Sequence, residues 1–174
     1  MSLAVCLLLD DRADATVRRL WQRLEDAGVP TLLTHTHRHH VPHLTWAGLL
    51  RYDLEAVRTA LAALPEQPPL PLHLDAFGTF RRSRCWLGPA VTPALVQRQA
   101  AVVAAVAETG AELHRHYAPG AWVPHVTLAP RLHLRDLASV AGEVYDVLPV
   151  AATGVSSALI DTSTGARHRL AHPI

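Results

Sequence analysis

The amino-acid sequence predicts an α+β fold of two pseudo-symmetric lobes around a central groove. The first observation behind this prediction is a six-residue motif that occurs twice, at Pro42–Ala47 (PHLTWA) and, 82 residues further on, at Pro124–Ala129 (PHVTLA). The second is that each motif is followed by an Asp-Leu helix start, a helix that ends at Leu-Pro, and a strand pair. A repeat of this length indicates two copies of one structural unit. We therefore predict one domain over residues 1–174, built from two interleaved lobes.

The elements of the first lobe follow from hydrophobic periodicity. The apolar run Leu3–Leu9 ends at two acidic residues and is typical of a buried strand. Residues 14–27 carry apolar side chains at helical spacing, and Gly28 ends this predicted helix. Residues 31–40 have the composition of a strand and lead into the first motif. Asp53 is expected to cap a second helix, which is followed by a proline-rich connector.

The elements of the second lobe are predicted from the same periodicities. In chain order they are a strand pair over 72–80 and 85–91, a helix that starts at Thr92-Pro93, a strand over 112–118, a helix near 134–148, and a hairpin of 150–160 with 167–174.

The composition limits the class of protein. The 16 basic residues, all of them Arg, nearly balance the 15 acidic ones, so any binding of nucleic acid must depend on a local patch. Cys6 and Cys85 both lie in apolar strand-like runs, which indicates buried free thiols in a reducing compartment. The run Leu3–Leu9 is too short for a signal peptide or a membrane span. We therefore expect a cytoplasmic monomer that does not bind membranes.

The two motifs carry the residues of a chemical site. On a strand, residues i and i+2 point to the same face, so His43 projects with Thr45, and His125 projects with Thr127. Two imidazoles that titrate near neutrality can serve as general base and general acid, while two hydroxyls donate to the non-bridging oxygens of a phosphate. In-line displacement at phosphorus needs this set and no metal. The sequence leaves open which His is the acid. The alternate positions should face the core: Leu44, Trp46, Val126 and Leu128.

At this point the sequence resembles the 2H phosphoesterase superfamily. The closer match is to its bacterial RNA 2′,3′-cyclic phosphodiesterases, which are also called 2′-5′ RNA ligases. The resemblance spans nearly the whole chain, and besides the motifs it includes Leu3–Leu9, Phe77–Phe80 and Cys85–Gly88. It implies a bilobal α+β fold, in which two sheets with flanking helices surround a central groove, and a site that needs no cofactor and no metal.

The resemblance also implies roles for single residues. It makes His43 and His125 catalytic, and it makes Thr45 and Thr127 substrate-binding. Many relatives carry an Arg five positions after the second His, whereas this chain has Pro130 there and Arg131 next. Whether Arg131 supplies the phosphate contact, or another residue does, stays open.

Three functions are compatible with these patterns. The first is metal-independent hydrolysis of 2′,3′-cyclic phosphates of nucleotides or RNA ends, with weak 2′-5′ RNA ligation as the reverse reaction. The second is a non-catalytic module of the same fold that binds nucleotides or RNA, which the displaced Arg favours and the four intact motif residues oppose. The third is a metal-dependent hydrolase built on the histidines of residues 35–40, whose spacing matches no zinc signature.

Two further groups lie near the motifs in sequence. Arg81, Arg82 and Arg84 form a basic turn, and such turns are more often solvated than bound to phosphate. Tyr117 and Trp122 flank the second motif, and for them the sequence supports base stacking and packing equally.

Overall fold

The computed structural model describes residues 2–81 and 84–174. Arg82 of the basic turn lies outside the described residues. The helices are α1 (Asp11–Asp26), α2 (Leu54–Ala62), α3 (Pro93–Ala107) and α4 (Leu137–Tyr145). The strands are β1 (Leu3–Leu9), β2 (His43–Arg51), β3 (Leu70–Thr79), β4 (Cys85–Pro89), β5 (Glu112–Leu113), β6 (Val126–Ala129), β7 (Val150–Asp161) and β8 (Arg167–Arg169).

The helices begin where the sequence places cap residues. Asp53 accepts a hydrogen bond from the Ala56 N–H (3.0 Å) at the start of α2, as predicted. Thr92 accepts one from the Leu95 N–H (3.2 Å), with a proline at the first helical position of α3, also as predicted. The pattern fails at α4, where Asp136 makes no side-chain cap and a short 3₁₀ turn precedes the helix. The two lobes therefore share their order of elements more closely than their cap chemistry.

Residues 31–40 form a turn-rich loop, so the predicted strand is wrong there. The Glu25 carboxylate accepts hydrogen bonds from the backbone N–H groups and hydroxyls of Thr31 and Thr34, over distances of 2.7–3.2 Å. Thr36 and Arg38 have φ values of 45° and 61°, which a strand does not allow. Local side-chain hydrogen bonds of this kind compete with a strand ladder. We call this segment the histidine loop (residues 31–40).

The predicted strand over 112–118 is also only partly correct. Glu112 and Leu113 pair with β2, but Arg115–Tyr117 form a 3₁₀ turn. The side chain of His114 accepts a hydrogen bond from the His116 N–H (3.3 Å), which bends the chain away from the ladder.

The strands form one continuous antiparallel sheet, in the order β1-β2-β6-β4-β3-β7-β8 for the described residues. Strand β7 is long enough to belong to both lobes. Its first part, from Val150 to Gly154, pairs with β3, and its second part, from Gly154 to Asp161, pairs with β1. The family resemblance implies two sheets. In the structure they are the two halves of one sheet, which closes where β7 pairs with β1. The α+β class and the bilobal architecture are confirmed.

The main core lies on one face of this sheet, beneath helices α1, α2 and α3. Val17, Leu20, Trp21 and Leu24 of α1 are at most 1% exposed. Each fully buried large apolar side chain contributes about 2 kcal/mol to stability. A second, smaller cluster lies on the opposite face of β1 and β7: Ala4, Cys6, Ala158 and Ile160. That opposite face carries the candidate site. Within the described ranges, no helix combines the length and apolarity needed to cross a bilayer.

Candidate active site

The two motifs meet where β2 and β6 pair. The pairing is antiparallel and centred on Leu44 and Val126, whose side chains are fully buried in the core. Trp46 and Leu128 are fully buried on the same side. The histidine and the threonine of each motif therefore project onto the other face of the sheet, which we call the groove face. Because the strands run in opposite directions, His43 lies toward Thr127, and Thr45 lies toward His125.

Each motif histidine is oriented by the same backbone contact. Nδ1 of His43 lies 2.7 Å from the Val41 carbonyl oxygen, and Nδ1 of His125 lies 2.7 Å from the Val123 carbonyl oxygen. A carbonyl oxygen can only accept, so Nδ1 carries the hydrogen in both rings. Nε2, at the opposite edge of each ring, remains for proton exchange.

Each motif threonine is fixed through its backbone by an indole. The Nε1–H of Trp122 donates to the Thr45 carbonyl (3.0 Å), and the Nε1–H of Trp21 donates to the Thr127 carbonyl (3.2 Å). The Trp122 ring also lies 5.8 Å from that of Trp46. Trp122, for which the sequence supported stacking and packing equally, thus anchors the first motif. These two indole hydrogen bonds fix the backbone of Thr45 and of Thr127.

The neighbours of the two threonines differ between the lobes. Across the β1–β2 ladder, Thr45 faces Cys6, with 3.9 Å between Sγ and Oγ1. Across the β4–β6 ladder, Thr127 faces Trp86. The rings of Phe80 and Trp86 lie 5.0 Å and 6.0 Å from that of His125. The first motif therefore has a thiol beside it, and the second has an aromatic wall.

This difference moves the pKa values of the two histidines in opposite directions. Burial lowers the pKa of His43, but the electrostatic interaction with the Cys6 sulfur and the hydrogen bond to the Val41 carbonyl outweigh burial and raise the pKa to about 9. The pKa of His125 is lowered to about 4, chiefly by burial. The positive charges of His43 and Arg84 also lower it, whereas the hydrogen bond to the Val123 carbonyl raises it. At neutral pH the structure thus holds one protonated and one neutral imidazole on the same face.

Arg84 is the arginine whose charge reaches the second motif. It is exposed, it directly precedes β4, and its carbonyl accepts a hydrogen bond from the Phe80 N–H (2.9 Å). Its positive charge lowers the pKa of His125. The charges of Arg131 and Arg84 both lower the pKa of His35 in the histidine loop. The sequence named Arg84 as part of a basic turn and favoured a solvated role for it, because only the pairing of β4 with β6 shows that this turn lies next to the second motif.

Tyr117 lies over the first motif. Its ring packs against Gly48, where an added Cβ would come within 2.8 Å of it. Its hydroxyl is hydrogen-bonded to Thr45, and burial raises the pKa of Tyr117. This contact places Tyr117 against β2, among the residues that surround Thr45.

Three histidines of the histidine loop, His35, His37 and His40, have lowered pKa values. The ring centroids of His37 and His40 lie 4.0 Å apart, with the two planes tilted by 35°. Burial and neighbouring positive charges lower the pKa values of His35 and His37, and they lower that of His40 to about 4. Within residues 2–81 and 84–174, no group of three or more His, Cys, Asp or Glu side chains is arranged to hold a metal ion.

Comparisons with known proteins agree with this architecture. A family model described as the 2′-5′ RNA ligase superfamily matches residues 9–166. LigT of E. coli in its apo form is similar at 20% identity with a TM-score of 0.64, over 97% of this chain and 94% of that chain. A protein described as a phosphoesterase is similar at 19% identity with a TM-score of 0.62, over 97% and 92% of the two chains.

A third solved structure is similar to this chain. LigT of E. coli complexed with 3′-AMP matches at 20% identity with a TM-score of 0.59, over 98% of each chain. At these identities the likeness shows the fold. No curated protein sequence matches the chain.

Proposed function

The chain belongs to the 2′-5′ RNA ligase superfamily, and from that premise we propose that it is a metal-independent phosphodiesterase that opens 2′,3′-cyclic phosphates of nucleotides or RNA ends. One observation carries the proposal: the groove face holds His43 with a raised pKa beside His125 with a lowered pKa. Titratable groups whose surroundings move their pKa values apart are suited to act as acid and base together. Both are then in the required state at neutral pH.

The proposed reaction uses the four motif residues and one water molecule. Nε2 of neutral His125 takes a proton from the water, whose oxygen attacks phosphorus. The bond from phosphorus to the 2′ or 3′ ribose oxygen breaks, and His43 gives its proton to that leaving oxygen. The hydroxyls of Thr45 and Thr127 donate to the non-bridging oxygens, where negative charge increases in the transition state. The product is a phosphomonoester, and solvent returns the proton from His125 to His43.

Solved relatives support a nucleotide as substrate. The structure of LigT of E. coli complexed with 3′-AMP shows that a protein of this fold binds a nucleoside monophosphate, the kind of product that the proposed reaction yields. Cys6 and Cys85 are both free and buried, which suits action in the cytoplasm. The whole chain acts as one unit in this proposal, since β7 contributes to both halves of the sheet that carries the site.

A non-catalytic nucleotide-binding module is the second candidate, and Pro130 at the position of the family arginine is the observation that favours it. Arg84 weakens this support, because its positive charge acts on His125 from the neighbouring strand. A protein that only binds nucleotides also does not need one protonated and one neutral histidine in its site.

The assay that tests the proposal is a panel of 2′,3′-cyclic mononucleotides, cyclic-ended RNA and 2′-5′ dinucleotides, incubated with the protein in the presence of EDTA. We expect hydrolysis of the cyclic phosphates to a single monophosphate isomer, identified by chromatography. Turnover that EDTA abolishes would support a metal site at the histidine loop instead. Tight binding of nucleotides without turnover would support the binding module.

The pH dependence of kcat/KM should be a broad plateau. His125 must be neutral, so activity rises as the pH increases through its pKa of about 4. His43 must be protonated, so activity falls as the pH increases through its pKa of about 9. Two unperturbed histidines would instead give a narrow bell near pH 6.5. Initial rates from pH 4 to 10, with tryptophan fluorescence as a check on folding at each pH, distinguish the two shapes.

Replacing Arg84 by Gln should raise KM for a cyclic phosphate by about tenfold, with a smaller effect on kcat. A hydrogen bond to a charged group contributes about 1.5–3 kcal/mol, and tenfold in affinity corresponds to about 1.4 kcal/mol. The matched control is Arg131→Gln, for which we expect at most about a twofold change, the size of effect usual for an exposed charge outside the site. A larger effect for Arg131→Gln than for Arg84→Gln would assign the family's phosphate contact to Arg131.

A further inference from the structure

Cys6 is the buried group that the proposed reaction does not use. It lies in the middle of β1 and is fully buried, yet its side chain points to the groove face rather than to the main core. Its apolar neighbours there are Ala4, Ala158 and Ile160. A thiol enclosed in this way is shielded from oxidants, so its importance must come from what it contacts.

A β-bulge brings Cys6 to the first motif. In the β1–β2 ladder, Val5 pairs with Ala47, but Cys6 pairs with Thr45, so Trp46 is the extra residue of β2. In a regular ladder Cys6 would face Trp46, whose side chain belongs to the core. The bulge therefore turns Thr45 toward the thiol, in agreement with the tendency of bulges to re-aim side chains next to active sites.

The sulfur acts on both functional groups of the first motif. Sγ lies 3.9 Å from Oγ1 of Thr45, and its electrostatic interaction with the His43 ring raises the pKa of that histidine. The hydroxyl of Tyr117 is hydrogen-bonded to the same threonine. Thr45 is thus held between a thiol and a phenol, while Nδ1 of the His43 ring is held by the Val41 carbonyl and Nε2 stays available for proton transfer.

The second motif has no equivalent of this thiol among the described residues. The residue that faces Thr127 across its own ladder is Trp86, and the rings near His125 are those of Phe80 and Trp86. A sulfur atom is a weak acceptor that favours a protonated imidazole, whereas aromatic rings at this distance remove water without replacing its hydrogen bonds. Cys6 is therefore the residue that gives the first motif a polar neighbour where the second motif has an aromatic one.

We propose that Cys6 is a positioning residue, which holds the His43 imidazolium and the Thr45 hydroxyl in place and so makes the first motif the proton-donating side of the site. The assignment rests on the proposed function. The titratable groups that face His43 are Cys6 from β1, His40 from the histidine loop and His125, which directly precedes β6. His40 and His125 both have a pKa of about 4 and are neutral at the pH of the reaction, so Cys6 is the neighbour that raises the pKa of His43.

The test compares Cys6→Ala and Cys6→Ser with Cys85→Ala, the matched control. Cys85 is the other fully buried free cysteine and pairs with Ala129 on β6, so its replacement removes the same atom from the main core. We expect Cys6→Ala to lower kcat about tenfold, less than loss of the acid itself. It should also move the alkaline limb of the pH profile down by about one unit. Cys6→Ser keeps a hydrogen-bonding atom but cannot ionise, so it should recover only part of both, and Cys85→Ala should change neither.

An NMR titration of the His43 imidazole gives a readout that needs no turnover. We expect its pKa to fall in Cys6→Ala and to fall by a smaller amount in Cys6→Ser, so the serine variant still shows a shift if the alanine variant does not fold. Overlapping titrations and pH profiles for the parent, both Cys6 variants and Cys85→Ala would overturn the assignment. Failure of the proposed function has a different signature: the parent opens no cyclic phosphate, while the His43 titration still depends on Cys6.

Discussion

Replacing His125 by Ala is expected to lower turnover of a 2′,3′-cyclic phosphate by roughly 10²–10⁴-fold, and replacing His43 by Ala should have an effect of similar size. Both rings are fixed by a 2.7 Å contact to a backbone carbonyl, so each variant removes an oriented proton-transfer group. Both side chains project from the sheet into the groove rather than into the core, so the folded state should persist. Steady-state kinetics on a cyclic mononucleotide measure the loss, and circular dichroism measures the fold.

A substrate with an activated leaving group separates the two roles. The leaving oxygen of an aryl phosphodiester needs no protonation, so His43→Ala should retain most of its activity on such an ester, while His125→Ala stays impaired. The matched control is His73→Ala, since His73 is an exposed histidine on β3. The reverse pattern would exchange the acid and the base. Full activity of both motif variants on a cyclic phosphate would contradict the proposed function.

The features that the sequence predicted well are local. Alternation within the two motifs places Leu44 and Val126 in the core, and both are fully buried. Asp53 and Thr92 cap the helices that they were expected to cap. These predictions succeed because side-chain period and cap chemistry depend on residues a few positions apart.

The features that it missed depend on residues far apart in the chain. The contact between Cys6 and Thr45 exists only because a bulge shifts the register of β1 against β2, and no local period reports such a shift. Arg84 was named only as part of a solvated turn, because the pairing of β4 with β6 is what brings its charge close enough to lower the pKa of His125. The acid and base roles stayed open for the same reason, since the two motifs are nearly identical and only their neighbours in space differ.

Replacing Thr127 by Val should lower kcat by roughly 10²–10³-fold, and Thr45→Val should act in the same range. Valine keeps the shape of threonine but has no hydroxyl to donate to a non-bridging phosphate oxygen. Since that oxygen gains charge in the transition state, kcat should fall more than KM rises. Thr45→Val also loses the contacts with Cys6 and Tyr117, so its free energy of unfolding should decrease by about 1 kcal/mol.

Thr127→Ser and Thr45→Ser are the matched controls, because serine retains the hydroxyl and lacks only the methyl group. They should keep activity within about tenfold of the parent, a loss that reflects the freer rotation of serine about χ1. The double variant Thr45→Val/Thr127→Val should lose less than the product of the single losses if both hydroxyls act on the same phosphate, since groups that act as a unit are not additive. Unchanged kcat in both valine variants would remove the threonines from the mechanism and leave the two histidines to act without them.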